Sequence, residues 1–218
     1  MHLLKSFLSE ELKISRDDIY IKFRKYNELL LEWNNKVNLI SRKMTSIESN
    51  VLTSIFFLTK FDIRKYLNII DIGTGGGFPG VPLAIMFPEI RFILVDSVKK
   101  KINALSDIVN KAGIKNVECI CGRAEEVSKI KNHFHKYDIV ISKSVSTLFN
   151  LFSWGKYFIN KNGLMLSIKG GDLKKELAEL RKIKNIQIEV LNFDFETHYH
   201  IEDKKLVIIK PLNLDLRK

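Results

Sequence analysis

Ile69-Ile70-Asp71-Ile72-Gly73-Thr74-Gly75-Gly76-Gly77-Phe78-Pro79-Gly80 reads as an apolar strand that ends in a carboxylate and runs into a glycine-rich turn. Five glycines in the eight positions 73–80 are more than a plain turn needs. They suit a turn that visits positive φ and lets a ligand touch the backbone. Outward from this stretch, short apolar runs alternate with helical patterns. Strands are predicted at 67–72, 91–95, 117–121, 138–142 and 163–168, and helices near 80–87, 99–112, 124–131 and 147–159. Gly113 stands where a helix C-terminal glycine belongs, and Pro88 stops the helix before it. Strands this apolar, joined by helices, predict a parallel sheet covered on both faces. A helix near 172–182 follows, with Asp172 as N-cap, and then two strand-like runs, 186–193 and 205–209. Their joining segment, 196–204, is too polar for a buried crossover, so the two runs read as an antiparallel pair at the sheet edge.

The part before Tyr66 reads as helical. Ser15-Arg16-Asp17-Asp18 and Thr45-Ser46-Ile47-Glu48 each place a capping acceptor three residues before an acid. Phe23, Tyr26, Leu30, Trp33 and Val37 recur at steps of three or four, one apolar stripe that reads as core packing.

The chain has 218 residues, 45% of them hydrophobic and 28% charged, an ordinary globular composition. No apolar run approaches the roughly 20 residues of a membrane span. The N-terminal stretch lacks the apolar core and cleavage site of a secretory signal. Cys119 and Cys121 would share one strand face as reduced thiols, not a disulfide or a zinc site. These features predict a cytoplasmic protein. The net charge of +11 favours a polyanionic partner, nucleic acid or anionic membrane. It is supporting evidence only, because lysine supplies most of it and arginine stands at just eight positions. His133, His135, His198 and His200 have no ligand spacing, so no metal site is predicted, and His198-Tyr199-His200 reads as an edge segment.

Two ligand classes use such a glycine turn. Gly75-x-Gly77-x-x-Gly80 matches the dinucleotide fingerprint. Asp71-x-Gly73-x-Gly75 looks like the first motif of S-adenosylmethionine (SAM) methyltransferases. The carboxylate favours SAM: Asp71 can meet a cationic ligand, whereas it would repel a pyrophosphate. Pro79 in the first helical turn also removes an N–H donor. Asp96 ends the next strand, where an acid suits ribose hydroxyls, a reading favoured over a cap for the helix that follows. Cys121-Gly122-Arg123-Ala124-Glu125-Glu126 follows the third strand, where backbone groups can pair with an adenine edge. Ser142 and Lys143 end the fourth strand and should line the crevice, Lys143 facing RNA phosphate or the cofactor carboxylate. Lys169-Gly170-Gly171 closes the fifth strand in the same crevice.

Taken together, these segments resemble the bacterial 16S ribosomal RNA guanine-N7 methyltransferase family (RsmG, formerly glucose-inhibited division protein B). The likeness spans about residues 25–210. It is close at Glu32-Trp33-Asn34-x-x-Val37-Asn38-Leu39-Ile40 and closest at Ile70 to Ala84, where Gly77-Phe78-Pro79-Gly80 is the most specific element. It continues through Leu94-Val95-Asp96-Ser97, Gly122 to Glu126 and Ser167-Ile168-Lys169-Gly170. The resemblance implies an α/β, Rossmann-like class I SAM-dependent methyltransferase fold: a seven-stranded, mostly parallel sheet whose last strand is antiparallel, behind an N-terminal helical extension. It implies an extension at 1–65, one SAM-binding methyltransferase domain at 66–212 and a tail at 213–218. It implies SAM as donor, and as acceptor N7 of a guanine in the decoding-region loop of 16S rRNA, family position 527. The substrate would be the RNA or the small ribosomal subunit, and the enzyme a monomer. The implied cofactor residues are Gly73, Phe78, Asp96, Ala124 and Glu125, to which the reading of the turn and the fourth strand end adds Asp71, Gly75 and Lys143.

No catalytic residue is assigned, because guanine N7 carries an exposed lone pair and needs no base. Three segments depart from the family pattern. Ser142-Lys143-Ser144 replaces Ser-Arg-Ala, Asn50-Val51-Leu52-Thr53-Ser54 replaces His-x-x-Asp-Ser, and Lys204 stands where arginine is usual. Two other readings stay open, an NAD-type oxidoreductase and a non-catalytic RNA-binding relative.

Overall fold

The computed structural model describes residues 1–212 except 196 and 202; the predicted tail, 213–218, lies outside the described residues. The strands are β1 (Asn68–Ile72), β2 (Arg91–Asp96), β3 (Val117–Cys121), β4 (Tyr137–Lys143), β5 (Ile159–Gly170), β6 (Ile186–Asn192) and β7 (Lys204–Pro211). They form a single seven-stranded sheet in the order β3-β2-β1-β4-β5-β7-β6. The β3-β2-β1-β4-β5 pairings are all parallel, and β7 runs antiparallel to both β5 and β6. The five predicted parallel strands and the antiparallel pair at the edge are therefore present, with β7 inserted between β5 and β6.

The helices are α1 (His2–Glu10), α2 (Asp17–Asn34), α3 (Glu48–Ile55), α4 (Gly80–Met86), α5 (Lys99–Lys111), α6 (Ala124–Val127), α7 (Leu148–Gly155) and α8 (Lys174–Leu180). They cover both faces, as strands this apolar require. One face carries α1 to α5, whose buried residues share a core with Ile69, Phe92, Leu94, Ile139 and Ile141. The other carries α6 to α8, packed on Ile70, Ile72, Ile93, Val95 and Val140. Strand alternation divides the residues between the two cores.

The capping signals work differently from their predicted form. Arg16, not Ser15, precedes α2, and it is held by Asp18 at 2.6 Å. The residue before α3 is Ile47, not Thr45, and Ser46 Oγ, one position earlier, accepts from the Glu48 amide at 3.1 Å. Glu48 instead turns its carboxylate to the Leu4 amide and the N-terminal amine. Asp172 accepts from the Lys174 amide at 2.9 Å at the start of α8. The helix predicted at 124–131 ends at Val127, and the chain turns outward with Ile130 exposed. In the His198 region, Thr197–Tyr199 forms a 3-10 turn. Tyr199 is buried edge-on against Phe7, and its hydroxyl donates to Glu10. His133 and His135 serve local bonds, to the Tyr137 hydroxyl and the Ile159 carbonyl. Cys119 is half-buried and Cys121 exposed; both are free thiols. Among the described residues, no helix is long and apolar enough to cross a membrane.

The apolar stripe of α2 is core, as expected, with Phe23, Tyr26 and Leu30 fully buried. It also reaches the glycine turn. The Tyr26 hydroxyl donates to the Gly76 carbonyl at 2.5 Å, and the Tyr26 ring lies 5.7 Å from that of Phe78. Trp33 donates to Asp107 of α5 at 2.8 Å, tying the same helix down at its far end. Removing the Tyr26 hydroxyl leaves a buried carbonyl without its donor. Tyr26→Phe should therefore cost about 1–3 kcal/mol in urea unfolding. An unchanged midpoint and slope would mean that Gly76 finds another donor.

Candidate functional site

Strand order reverses between β1 and β4, the position where doubly wound sheets open a ligand crevice at the carboxyl ends of their strands. A cleft of about 420 Å³ lies there. That is within the range of roughly 300–1,000 Å³ usual for small-ligand sites. Among the predicted residues, Gly73, Gly75, Asp96, Ala124, Glu125 and Lys143 line it. Lys101, Arg123, Val145 and Trp154 line it as well. Of these four, Arg123 lies in a quoted motif; the other three carry no motif signal, since helix and loop geometry alone brings them in.

The floor of the cleft is built from backbone. Asp96 is 9% exposed. One of its oxygens accepts from the Gly75 amide and the other from the Val98 amide, both at 2.9 Å. This carboxylate therefore bonds both the glycine turn and the residue before α5, and it faces the cleft. Each oxygen keeps lone-pair capacity toward the open side. Gly73 adopts φ +73°, and a Cβ there would fall 2.6 Å from a Val145 methyl.

Asp71 and Phe78 lie behind the cleft wall and do not line it. Asp71 is fully buried beneath the turn. Its Oδ2 accepts from the Thr74 hydroxyl at 2.7 Å and from the Gly80 amide at 2.9 Å, while Oδ1 is buried with no hydrogen-bond partner. Gly80 must be glycine, since a Cβ there would press into Leu94 and within 3.0 Å of the same carboxylate oxygen. Burial pushes the Asp71 carboxyl up to about 7, against the pull of its hydrogen bonds and of Lys143.

Ser142 and Lys143 part company. Successive strand residues point to opposite faces. Ser142 is fully buried with its hydroxyl unpartnered, so the expectation that it lines the crevice fails by one step of the pleat. Lys143 emerges on the α3 face. Its Nζ donates to the Asn50 carbonyl at 3.3 Å and the Thr53 hydroxyl at 3.2 Å. It also lies 4.9 Å from the centre of the Phe78 ring. Burial lowers this amine to about 8, partly opposed by Asp71. The departures at 143, 50 and 53 thus sit in direct contact. Lys169 points to the opposite face and does not line the cleft.

An acid that keeps its proton to about 7 when folded, but to its ordinary 3.8 when unfolded, binds more protons in the folded chain between those values. Its ionisation therefore costs stability progressively as pH rises through that window. The stability of Asp71→Asn relative to the wild type should accordingly increase from pH 4 to pH 7 and level off above it, read by urea unfolding at each pH. A difference independent of pH would mean that Asp71 ionises normally.

The chain has close relatives. Residues 19–206 match the family model described as rRNA small subunit methyltransferase G. The ribosomal RNA small subunit methyltransferase G of Clostridium novyi is 39% identical over 200 residues, covering 90% of this chain and 82% of that protein. That of Thermoanaerobacter sp. is 34% identical over 195 residues, covering 88% and 81%. Among solved structures, a putative O-methyltransferase from Klebsiella pneumoniae superposes with a TM-score of 0.59 over 97% of this chain and 96% of its own, at 11% identity. Aeropyrum pernix fibrillarin with natively bound S-adenosyl-L-methionine gives 0.55 over 74% and 76%, at 15% identity. These likenesses identify the sheet and its helical layers as the class I methyltransferase fold. By the extent of the family match and the identity of its relatives, the chain belongs to the rRNA small subunit methyltransferase G family.

Proposed function

We propose that this protein transfers the methyl group of SAM to N7 of a guanine in 16S ribosomal RNA, at family position 527. Family membership supports the reaction class. The observation that carries the cofactor reading is how Asp71 and the start of α4 are used. The Gly80 amide is given to Asp71, the Val81 amide goes to the Gly77 carbonyl, and Pro82 has none. A dinucleotide pyrophosphate needs free amides at this helix start. Here an internal carboxylate already fills that role, which counts against the oxidoreductase reading.

The cleft also fits SAM in shape and charge. Gly75 faces open space, Asp96 is placed for ribose hydroxyls, and Ala124 with Glu125 opens α6 for the adenine. Asp71 and Phe78 act through the turn they hold, and Lys143 borders the cleft on the substrate side. Bound SAM supplies an activated methyl group on a cationic sulfur. The protein's part is to hold the guanine in line with it and to exclude misaligned poses. Positioning of this kind can contribute up to about 7–11 kcal/mol. Cytoplasmic location and action as a monomer belong to the same proposal.

The deciding experiment is transfer of labelled methyl from SAM to ribosomal RNA, and to small subunits, from a strain lacking this gene, followed by nucleoside analysis. Labelled 7-methylguanosine at one site is expected. SAM binding without transfer to either acceptor would favour the non-catalytic RNA-binding reading. Asp96→Ala should weaken SAM binding roughly 10- to 150-fold in calorimetry, the effect of removing a charged hydrogen-bond partner. Unchanged affinity would move the ribose away from Asp96.

A further inference from the structure

The wall of the cleft above Gly73 is Val145, in the connection 144–147 between β4 and α7. Apolar packing does little to hold this connection: Val145 is 40% exposed, and Ser144 and Thr147 are exposed too. Ser144 takes φ +55°, a strained value for a residue with a side chain. The ties are polar: the Ser144 amide donates to the Ile168 carbonyl at 3.3 Å, and the side-chain ties come from the face that carries α7 and α8. Lys169, 8% exposed, donates to the Ser146 carbonyl at 2.6 Å and pairs with Glu176 at 2.8 Å. The same Glu176 oxygen accepts from the Leu148 amide at 2.8 Å. One Lys–Glu pair thus grips both ends of the turn into α7.

A buried ammonium is costly to desolvate, and an apolar side chain would fill its place more cheaply. The two groups that Lys169 serves both bear on the 144–148 backbone. Beneath the connection, on the same face of the sheet, the Ser142 and Ser167 hydroxyls are buried without partners. The floor there is polar and does not clamp the connection by packing. We infer that Lys169, set by Glu176, is a positioning residue for the cofactor cleft: it fixes residues 144–147 so that Val145 closes the cleft over Gly73. The inference rests on reading that cleft as a SAM site.

The test compares Lys169→Met, Glu176→Gln and, as a control, Lys182→Gln, which breaks the exposed Lys182–Glu179 pair just beyond α8. Amide hydrogen exchange over 144–148 and calorimetric Kd for SAM are read together, with thermal unfolding as a check on folding. Lys169→Met should speed exchange of 144–148 and raise the Kd about tenfold, the loss of one charge-assisted tie. Glu176→Gln can keep the Leu148 bond while losing the charge, so it should move both readouts the same way but less. It also keeps the test open if Lys169→Met fails to fold. Lys182→Gln should move neither. Faster exchange with an unchanged Kd would overturn the proposal, as would unchanged exchange. A wild-type protein that binds no SAM would instead overturn the cofactor reading, and the exchange rates would still decide whether Lys169 holds the connection.

Discussion

Asp71 ends β1 sealed from solvent, and its Oδ2 receives two hydrogen bonds at once, from Thr74 inside the glycine turn and from Gly80 at the start of α4. Hydrogen bonds to a charged group contribute about 1.5–3 kcal/mol each, against the larger cost of burying a carboxylate. The raised Asp71 carboxyl reflects that balance. Strand, turn and helix are joined at one atom, so the path of residues 73–79 follows from it. With that path set, the Gly75 amide meets Asp96 and the floor of the cleft is complete. The glycine cluster is the sterically permitted way to do this, because at Gly80 the carboxylate and Leu94 leave no room for a side chain.

The N-terminal helices bear on the same joint from outside. Tyr26 of α2 holds the Gly76 carbonyl, and α3 presents Asn50 and Thr53 to Lys143. These helices share one core with the sheet. Changes in them therefore reach the turn through hydrogen bonds as well as through packing. On the opposite face, α8 reaches the connection after β4 through Glu176 and Lys169. The cleft is thus held from both sides of the sheet, while its lining comes mostly from the ends of strands.

Much of this was legible in the sequence for a physical reason. Central parallel strands are buried on both faces, so Phe92–Val95 appears as an unbroken apolar run and Ile69–Ile72 as one interrupted only by Asp71, each bounded by turn residues. Glycines at 73–77 and the acids at 71 and 96 mark the turn because few other side chains fit there. Facing was harder to read. A strand end does not tell whether Asp71 looks outward to a ligand or inward to its own turn, since both want a carboxylate next to N–H donors. Ser142 and Lys143 are adjacent in sequence but lie on opposite faces, and only the register of β4 decides which one meets the cleft. Val145 and Trp154 enter the lining through the connection after β4 and the helix that follows, which no local pattern specifies.

The departures from the family pattern read as a single local exchange. An arginine at 143 would present five donors in a rigid plane, matched by a carboxylate at 53. A lysine there has three donors and a flexible stem. It finds the Asn50 carbonyl, the Thr53 hydroxyl and the face of the Phe78 ring, which together use its capacity without a carboxylate. Losing the acid at 53 while keeping arginine would strand donors in a buried place, whereas the lysine meets its partners without a carboxylate. Lysine at 143 keeps the positive charge between α3 and the glycine turn, and threonine at 53 gives up the negative one. The exchange leaves Asp96, Gly73 and Gly75 untouched. Its effect therefore falls where Lys143 borders the cleft, away from the floor that Asp96 and Gly75 form.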